Sequence, residues 1–521
     1  MNIPDFNEKK RHLTRINKTS EVLTVNDVTR QSFDSYLTYF ENSGFLTVEE
    51  RESDKVAFTA LKKDSIGVFI NYYYAVKTLT VVIEEDTKYF DFKDEHRTLG
   101  SVSPQITQIS LEIFGMSYAI RLSDGRFIII DGGREFEPDA TKLYECLKRG
   151  SITEKPIIAA WIFTHPHPDH FYCFMTFLDM YSKEVVIEKC MFTFPEYDNT
   201  ERYPALLDTD KRYAYDTSLY TNIPVLHKKI NEHSIPVYSP HTGQEYVIGD
   251  AKLEILAGIE DTIHLTKIIN ATSLVIKMEL GGQTILWTGD AIFNRLKLSA
   301  KYGTYLKADI LQVPHHGCQG GAADAEIEAY RLINPSVCFI PSSDYNVYTS
   351  YSPHIEAPRF ILKDAGVDEI IAGGADRTIT LPYTPPKEAK AELDRKYLTG
   401  LNSNGSTTWI FTGLNTSNTD DFLFTFLNTT YFDAKVDIEL FFRDKSQVVR
   451  FIKATAPRLV IKTISIVGED VDGDALYINF NSLKSLGVPD NADFAVRFIS
   501  DIPIVISNKN RLPAYISKCI Y

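Results

Sequence analysis

The sequence predicts an α/β protein in which strands dominate, flanked by two smaller units. Three observations lead there. Short apolar runs recur between Gln105 and about residue 385, and several end in a glycine turn. One such run, residues 156–163, delivers the string Thr164-His-Pro-His-Pro-Asp-His170, in which four metal-capable side chains fall within six positions. A polar, charged segment from Thr384-Pro-Pro386 to Gly405-Ser406 then separates this region from strand-like runs with no strong helical pattern.

At 521 residues the chain exceeds one ordinary core. Three units are expected: 1–100, a small α+β domain; 105–385, the α/β domain; and 407–521, a β-sandwich. In the first, Phe33, Tyr36, Leu37 and Phe40 at helical spacing predict a helix over 28–42. Asn26 or Asp27 suits its start and Gly44 its end. Runs at 56–61, 67–74 and 78–84 predict strands, and 95–104 a polar linker. Tyr72, Tyr73 and Tyr74 read better as strand packing than as a binding face. In the second unit, strands are expected at 111–114, 117–122, 126–130, 156–163, 185–194, 245–248, 252–256, 273–280, 283–288 and 310–313, with a helix over 141–149. The third shows runs at 409–412, 422–427, 435–442, 448–452 and 458–466.

Composition narrows the function classes. With 44% hydrophobic and 24% charged residues the chain is globular, and no apolar run reaches the ~18 residues that span a bilayer. No membrane partner is expected. The first eleven residues lack the apolar centre of a signal peptide, so the expected location is cytoplasmic. The net charge of −14 disfavours long nucleic acid as a partner, because such surfaces are basic. It leaves room for a small anionic substrate at a metal, whose charge reverses the local field. The six cysteines form no C-x-x-C pair, which fits buried thiols in a reducing compartment.

The string 165–170 carries the chemistry. A buried strand would not hold so many unpaired polar groups, and a helix interior would not hold alternating prolines. A loop at a strand end is the remaining reading, with His165, His167, Asp169 and His170 turned to one point. Imidazole nitrogen and carboxylate oxygen bind zinc and its neighbours at about 2.0–2.2 Å. Four further segments offer partners: Asp131 in Ile130-Asp-Gly-Gly133, Asp290 in Thr288-Gly-Asp290, the pair His315-His316, and Asn270 before the run 273–280. Each adjoins an apolar strand, where distant residues can meet.

Their order resembles the metallo-β-lactamase superfamily over about residues 105–385. Within it the chain is most similar to the soluble hydrolase domain of ComEC-type DNA-uptake proteins. Asn270-Ala-Thr-Ser-Leu-Val-Ile-Lys-Met-Glu-Leu-Gly-Gly282, Leu311-Gln-Val-Pro-His-His-Gly317 and Gly373-Gly-Ala-Asp-Arg-Thr-Ile-Thr-Leu381 carry that likeness. Bacterial phosphorylcholine esterases look similar too. The resemblance implies an αβ/βα sandwich and one or two Zn²⁺ ions, with Mn²⁺ as the alternative. It puts His165 and His167 at a first metal, Asp169 and His170 at a second, and Asp290 between them. One of His315 and His316 completes the second site, with His316 favoured. Asp131 braces the histidine loop from behind. Two departures stand out: Asn270 replaces the usual third histidine of the first site, for which His264 is a substitute candidate, and Cys318 stands where relatives often carry serine.

The implied activity is metal-dependent hydrolysis of a phosphodiester, a nucleotide or other small phosphoester. A bound divalent metal lowers the pKa of water from about 15.7 to near 7. Asp169, Asp290 and Asn270 are the expected catalytic residues. Asp169 accepts from the attacking water, Asp290 sets the metal spacing, and Asn270 donates to a developing oxyanion. Carboxylic ester, lactone or β-lactam hydrolysis is the alternative, lowered because lactamases often use cysteine where Asp290 stands. An interaction protein with a vestigial site is the non-enzymatic alternative. Dimerisation, polymer binding and capping of the site all remain open for the C-terminal unit.

Overall fold

The computed structural model describes residues 11–94, 99–195, 217–263, 269–318, 327–343, 365–390, 406–415, 423–427, 434–442, 449–456, 461–465, 493–508 and 513–518, with Val347 and Leu393. His264 lies outside the described residues.

Six N-terminal strands are β1 (Arg11–Arg15), β2 (Ser20–Asn26), β3 (Leu46–Glu52), β4 (Val56–Lys63), β5 (Ile66–Tyr73) and β6 (Thr78–Glu84). They make one antiparallel sheet in the order β1-β2-β6-β5-β4-β3. Helix α1 (Arg30–Asn42) packs on one face through Phe33, Tyr36 and Phe40, which join Leu61, Val68 and Val81 in a core. Fully burying a phenylalanine contributes about 1.5–3 kcal/mol. The helix starts from Thr29, not from Asn26 or Asp27. Asp27 takes a left-handed φ of 58° and turns the chain before the helix begins. Gly44 follows the helix end at φ 85°, as a glycine there should. Tyr72 and Tyr73 are buried, and Tyr72 donates to the Val28 carbonyl at 3.2 Å, so these rings pack.

The other face of the sheet meets the α/β region. Phe58, Phe69 and Val82 cluster with Ile259 and Ile263. Asn71 Nδ2 donates to the Thr242 carbonyl at 2.9 Å, and Arg51 pairs with Glu245 at 2.5 Å. At the centre His241 is fully buried, with Nδ1 3.5 Å from Glu260 and Nε2 3.7 Å from Glu84 of β6. Lys301 Nζ meets Asp261 nearby at 2.6 Å. Burial opposes a charged imidazole, but Glu260 and Glu84 outweigh it and push His241 up to about 10. A raised folded-state pKa gives stability that is whole below the unfolded value of about 6.5 and is lost as pH climbs through 10. The stability advantage of wild type over His241→Gln is therefore expected to shrink by on the order of a few kcal/mol between pH 6.5 and 10. Denaturant melts of both proteins across that range test this.

The α/β region holds two sheets. The first contains β7 (Gln105–Gln108), β8 (Ser117–Arg121), β9 (Phe127–Asp131), β10 (Ile157–Ile162), the two-residue β11 (Val186–Ile187) and β12 (Cys190–Met191), and β13 (Val237–Tyr238). The second runs β14 (Glu245–Ile248), β15 (Ala251–Ala257), β16 (Val275–Leu280), β17 (Gln283–Trp287), β18 (Ile310–Gln312), β19 (Val337–Ile340) and β20 (Glu369–Ala372). β21 (Arg377–Thr380) returns to the first sheet beside β7. The sheets face each other across Tyr118, Ile128, Ile130, Ile276, Ile285, Trp287, Ile310 and Phe339. α2 (Glu137–Gly150), α3 (Pro168–Tyr181) and α4 (Thr217–Glu232) supply the outer layer of the first sheet, joining Trp161 and Phe163 in a second core. α5 (Phe293–Leu296), α6 (Leu298–Tyr302) and α7 (Ile327–Ile333) lie in the crossovers that the parallel pairs β17-β18 and β18-β19 require. This is the expected αβ/βα sandwich.

Two local expectations fail. Residues 111–114 are an irregular loop, because Glu112 and Ile113 give their N–H groups to the buried Asp139 carboxylate and not to a neighbouring strand. Residues 185–194 hold only β11 and β12, two brief parallel contacts with β10.

Contact density divides the chain into two compact units, 1–343 with 354–386, and 344–353 with 387–521. From 406 on, the described residues of the second are strands: β22 (Ser406–Asn415), β23 (Leu423–Leu427), β24 (Ala434–Phe442), β25 (Val449–Ala456), β26 (Ile461–Ser465), β27 (Asp493–Asn508) and β28 (Pro513–Lys518). β27 pairs with β22 and β24 over most of its length and with β23 at its end. Phe411, Phe424, Val496 and Phe498 are buried within it. No described helix is long and apolar enough to cross a membrane.

Candidate metal centre

The first part of the centre is built at the end of β9. Asp131 is fully buried at φ 55°. Its Oδ1 accepts the Thr164 N–H at 2.8 Å, and its Oδ2 accepts Thr164 Oγ1 and His170 Nδ1, each at 2.8 Å. Burial alone would push this carboxyl up, and the net shift is upward despite His170. One carboxylate thus fixes both the end of the histidine strand and one imidazole. Because His170 gives its Nδ1 proton to Asp131, its Nε2 faces the centre.

The histidine string is only half loop. His165 and His167 precede α3, but Asp169 and His170 form its first turn. Pro168 occupies the first helical position, where its missing N–H costs nothing. An acidic residue there also suits the positive end of the helix. The second proline therefore starts a helix, and the loop reading holds only for residues 165–167 before it.

Asp290 enters from the turn after β17. Gly289 in that turn sits at φ 51°, and a Cβ there would lie 2.7 Å from Thr164, so only glycine fits. Ser273 Oγ accepts the Asp290 N–H at 3.1 Å. The Asp290 carboxylate is ringed by imidazoles: His165 Nε2 at 3.7 Å, His170 Nε2 at 3.3 Å and His315 Nε2 at 3.9 Å from Oδ2, and His316 Nε2 at 3.5 Å from Oδ1. His316 Nε2 is also 3.5 Å from Asp169 Oδ2. Its Nδ1 lies 3.3 Å from the Pro341 carbonyl, which turns Nε2 inward. Phe114 covers this ring at a centroid distance of 4.3 Å.

The donors fall into two sets, His165 with His167 and Asp290, and Asp169 with His170 and His316. Within each set the ligand atoms lie inside 4.8 Å of one another. His170 Nε2, Asp290 Oδ1 and His316 Nε2 are buried without a hydrogen-bond partner. Buried polar atoms are seldom left so, and three of them converging on one place fit a bound cation. Burial drives His165 well below the ordinary histidine value and His167 down to about 4, so neither ring holds a second proton, and His165 Nε2 lies 2.9 Å from His167 Nδ1. His170 goes the other way: burial disfavours its charge, but Asp290 and Asp131 outweigh burial and hold its proton. A metal must displace that proton. Asp290 and Asp169 stay well below the usual carboxylate range despite burial, held by His170 and His316.

Asn270 joins neither set. It lies in the short helical turn Ile269–Thr272, buried, with Oδ1 unpaired. Cys318 is pushed up to about 12, first by burial and then by Asp290 and Asp169, and joins neither set. The sequence alone did not single out Thr164, Ser273, Gln312 and Asp139. Three of them lie inside the quoted stretches, but none has a side chain that marks it as a site residue, since each acts only by hydrogen bonding. Gln312 follows the pattern of a buried strand except for its amide, and that lone polar residue was the one signal for it.

Residues 112–329 match the family model of the metallo-beta-lactamase superfamily. Among solved structures, the chain is similar to a beta-lactamase domain protein from Burkholderia ambifaria, at 11% identity over 56% of this chain and 69% of that one, with a TM-score of 0.24. It is also similar to the Anabaena sensory rhodopsin transducer, at 24% identity over 21% of this chain and all of that one, with a TM-score of 0.16. No curated protein matches it. Both donor sets lie within the span 112–329, at the ends of the two facing sheets, so the match to the metallo-beta-lactamase superfamily falls on the region that holds the candidate centre.

Proposed function

We propose that the domain is a metal-dependent phosphodiesterase acting on a nucleotide or other small phosphoester. The observation that carries this is the placement of Asp290 among four imidazoles, touching both donor sets. In this reading His165, His167 and Asp290 hold one ion, and Asp169, His170, His316 and Asp290 hold the other. The donor set of nitrogen and carboxylate suits Zn²⁺ first and Mn²⁺ second. When bound, the ions would supply a water nucleophile at neutral pH and offset negative charge on the substrate.

The chain's own residues do the rest. Asp131 and Thr164 lock the strand end, so the ligands are held before substrate arrives. Asp169 would accept a hydrogen bond from the attacking water and orient it. Asn270 donates from its amide to the oxygen that gains charge. The phosphodiester choice rests on the three ComEC-like stretches and on an aspartate, not a cysteine, at 290.

Purified protein reconstituted with Zn²⁺ or Mn²⁺ is expected to hydrolyse bis-p-nitrophenyl phosphate and to lose that activity in EDTA. A parallel panel of lactones, carboxylic esters and β-lactams provides the contrast. Turnover confined to that panel would overturn the phosphodiester reading, and less than one bound ion per chain would overturn the enzyme reading.

A further inference from the structure

We propose that His315 contacts the substrate, donating from Nε2 to an anionic oxygen of the bound phosphoester, while His316 alone of the pair is a metal ligand. This rests on the metallohydrolase reading above. Neighbours in sequence, the two histidines are built differently. His316 is fully buried, with Nδ1 at the Pro341 carbonyl and Nε2 between Asp169 and Asp290. The His315 side chain is 24% exposed and belongs to neither donor set. Its ring has no side-chain hydrogen bond among the described residues, and its Nδ1 is buried without a partner. Nε2 is 3.9 Å from Asp290 Oδ2, beyond hydrogen-bonding reach. The ring thus stands beside the bridging carboxylate with its polar edge unspent.

The backbone shows that this placement is specified. His315 and His316 both occupy the left-handed region, at φ 52° and 54°. That region costs a non-glycine residue roughly 1–2 kcal/mol, and such conformations persist where the surroundings hold them. Here the His315 N–H donates to the Gly289 carbonyl at 3.0 Å, tying the turn to the one that carries Asp290. An imidazole carries at least one ring N–H, and here only the Nε2 edge is turned toward the centre. Leaving a lone pair at the buried Nδ1 and the proton at Nε2 avoids burying an unmet donor.

His315→Gly is the first test, because glycine takes φ 52° without strain and the fold should survive. Three measurements on the zinc-loaded protein decide the matter: bound metal per chain, affinity for inorganic phosphate by calorimetry, and kcat/KM on bis-p-nitrophenyl phosphate. The expected result is unchanged metal content, weaker phosphate binding, and kcat/KM down by about 10²–10³-fold, the effect of losing one oxyanion donor. His315→Gln, which keeps an N–H, should recover part of the loss. His316→Gly should instead lower metal content. Loss of a metal ion from His315→Gly would overturn the proposal by making His315 a ligand. Unchanged phosphate affinity and kinetics would overturn it too. A wild-type protein that binds neither metal nor phosphate would overturn the metallohydrolase reading itself, a separable outcome.

Discussion

If the proposed two-metal phosphodiesterase reading holds, Asp290→Asn is expected to cut bound zinc from two ions to at most one per chain and to bring phosphodiester hydrolysis to the solution background. Four imidazole nitrogens lie 3.3–3.9 Å from this one carboxylate, which is only 2% exposed. An amide has the same shape but loses the charge and the second strong donor oxygen, so no neighbour can replace it. Enzymatic accelerations start near 10⁶-fold, so loss of the assembled centre should cost on the order of 10⁶ or more in rate. Metal analysis after dialysis gives the stoichiometry. The difference in melting temperature with and without EDTA gives a second readout, since a ligand that binds only the folded state raises its stability. An Asp290→Asn protein that keeps two ions, with its melting point still sensitive to EDTA, would refute the role assigned to this residue.

Much of this candidate centre was legible because side chains able to hold a metal are chemically conspicuous. Three imidazoles and a carboxylate between residues 165 and 170 are too polar for a core and too regular for an ordinary surface loop. Asp290 and His315-His316 follow apolar strands that carry them to the same edge. The strands at 78–84 and 245–248 matched to the residue, because their patterns end at clear turns. What stayed hidden were interactions that depend on three-dimensional proximity. Residues 111–114 look apolar enough for a strand, yet Asp139, some 26 residues later, takes their N–H groups and makes a loop that sets Phe114 on His316. The start of α3 was hidden for another reason. Proline at the first position of a helix and proline in a loop look the same in sequence, and only the packing of Phe171, Phe174 and Phe177 into the core decides between them. His241 carried no motif at all, because its partners Glu84 and Glu260 come from different sheets and loops.

Gln312→Leu is expected to weaken metal binding by about 10–100-fold although Gln312 touches no ligand side chain, the usual effect of losing a partner behind the ligands. Its side chain is fully buried between the two turns that carry the centre. Oε1 accepts the N–H groups of Thr288 and Gly289 at 2.8 and 2.7 Å, immediately before Asp290. Nε2 donates to the carbonyls of Gly289 at 3.1 Å and Val313 at 2.6 Å, the latter just before the His315-His316 turn. One amide therefore sets the spacing between the bridging aspartate and the histidine pair. Leucine fills similar space but strands two buried N–H groups, and each unmet group costs about 1–3 kcal/mol. Some of the loss will appear as lower global stability, so a control of equal stability cost is needed. Leu311→Ala, one residue earlier in β18 and fully buried, removes packing worth about 2–5 kcal/mol without touching either turn. If positioning is the cause, Gln312→Leu loses zinc affinity in a chelator competition and Leu311→Ala does not. Equal losses in the two variants would mean that metal affinity simply follows fold stability. Gln312→Glu sharpens the comparison: it keeps the acceptor for Thr288 and Gly289 but sets an anionic oxygen against the Gly289 and Val313 carbonyls. It should therefore spare the Thr288 and Gly289 N–H groups but repel both turns at their carbonyls, so zinc affinity should still fall.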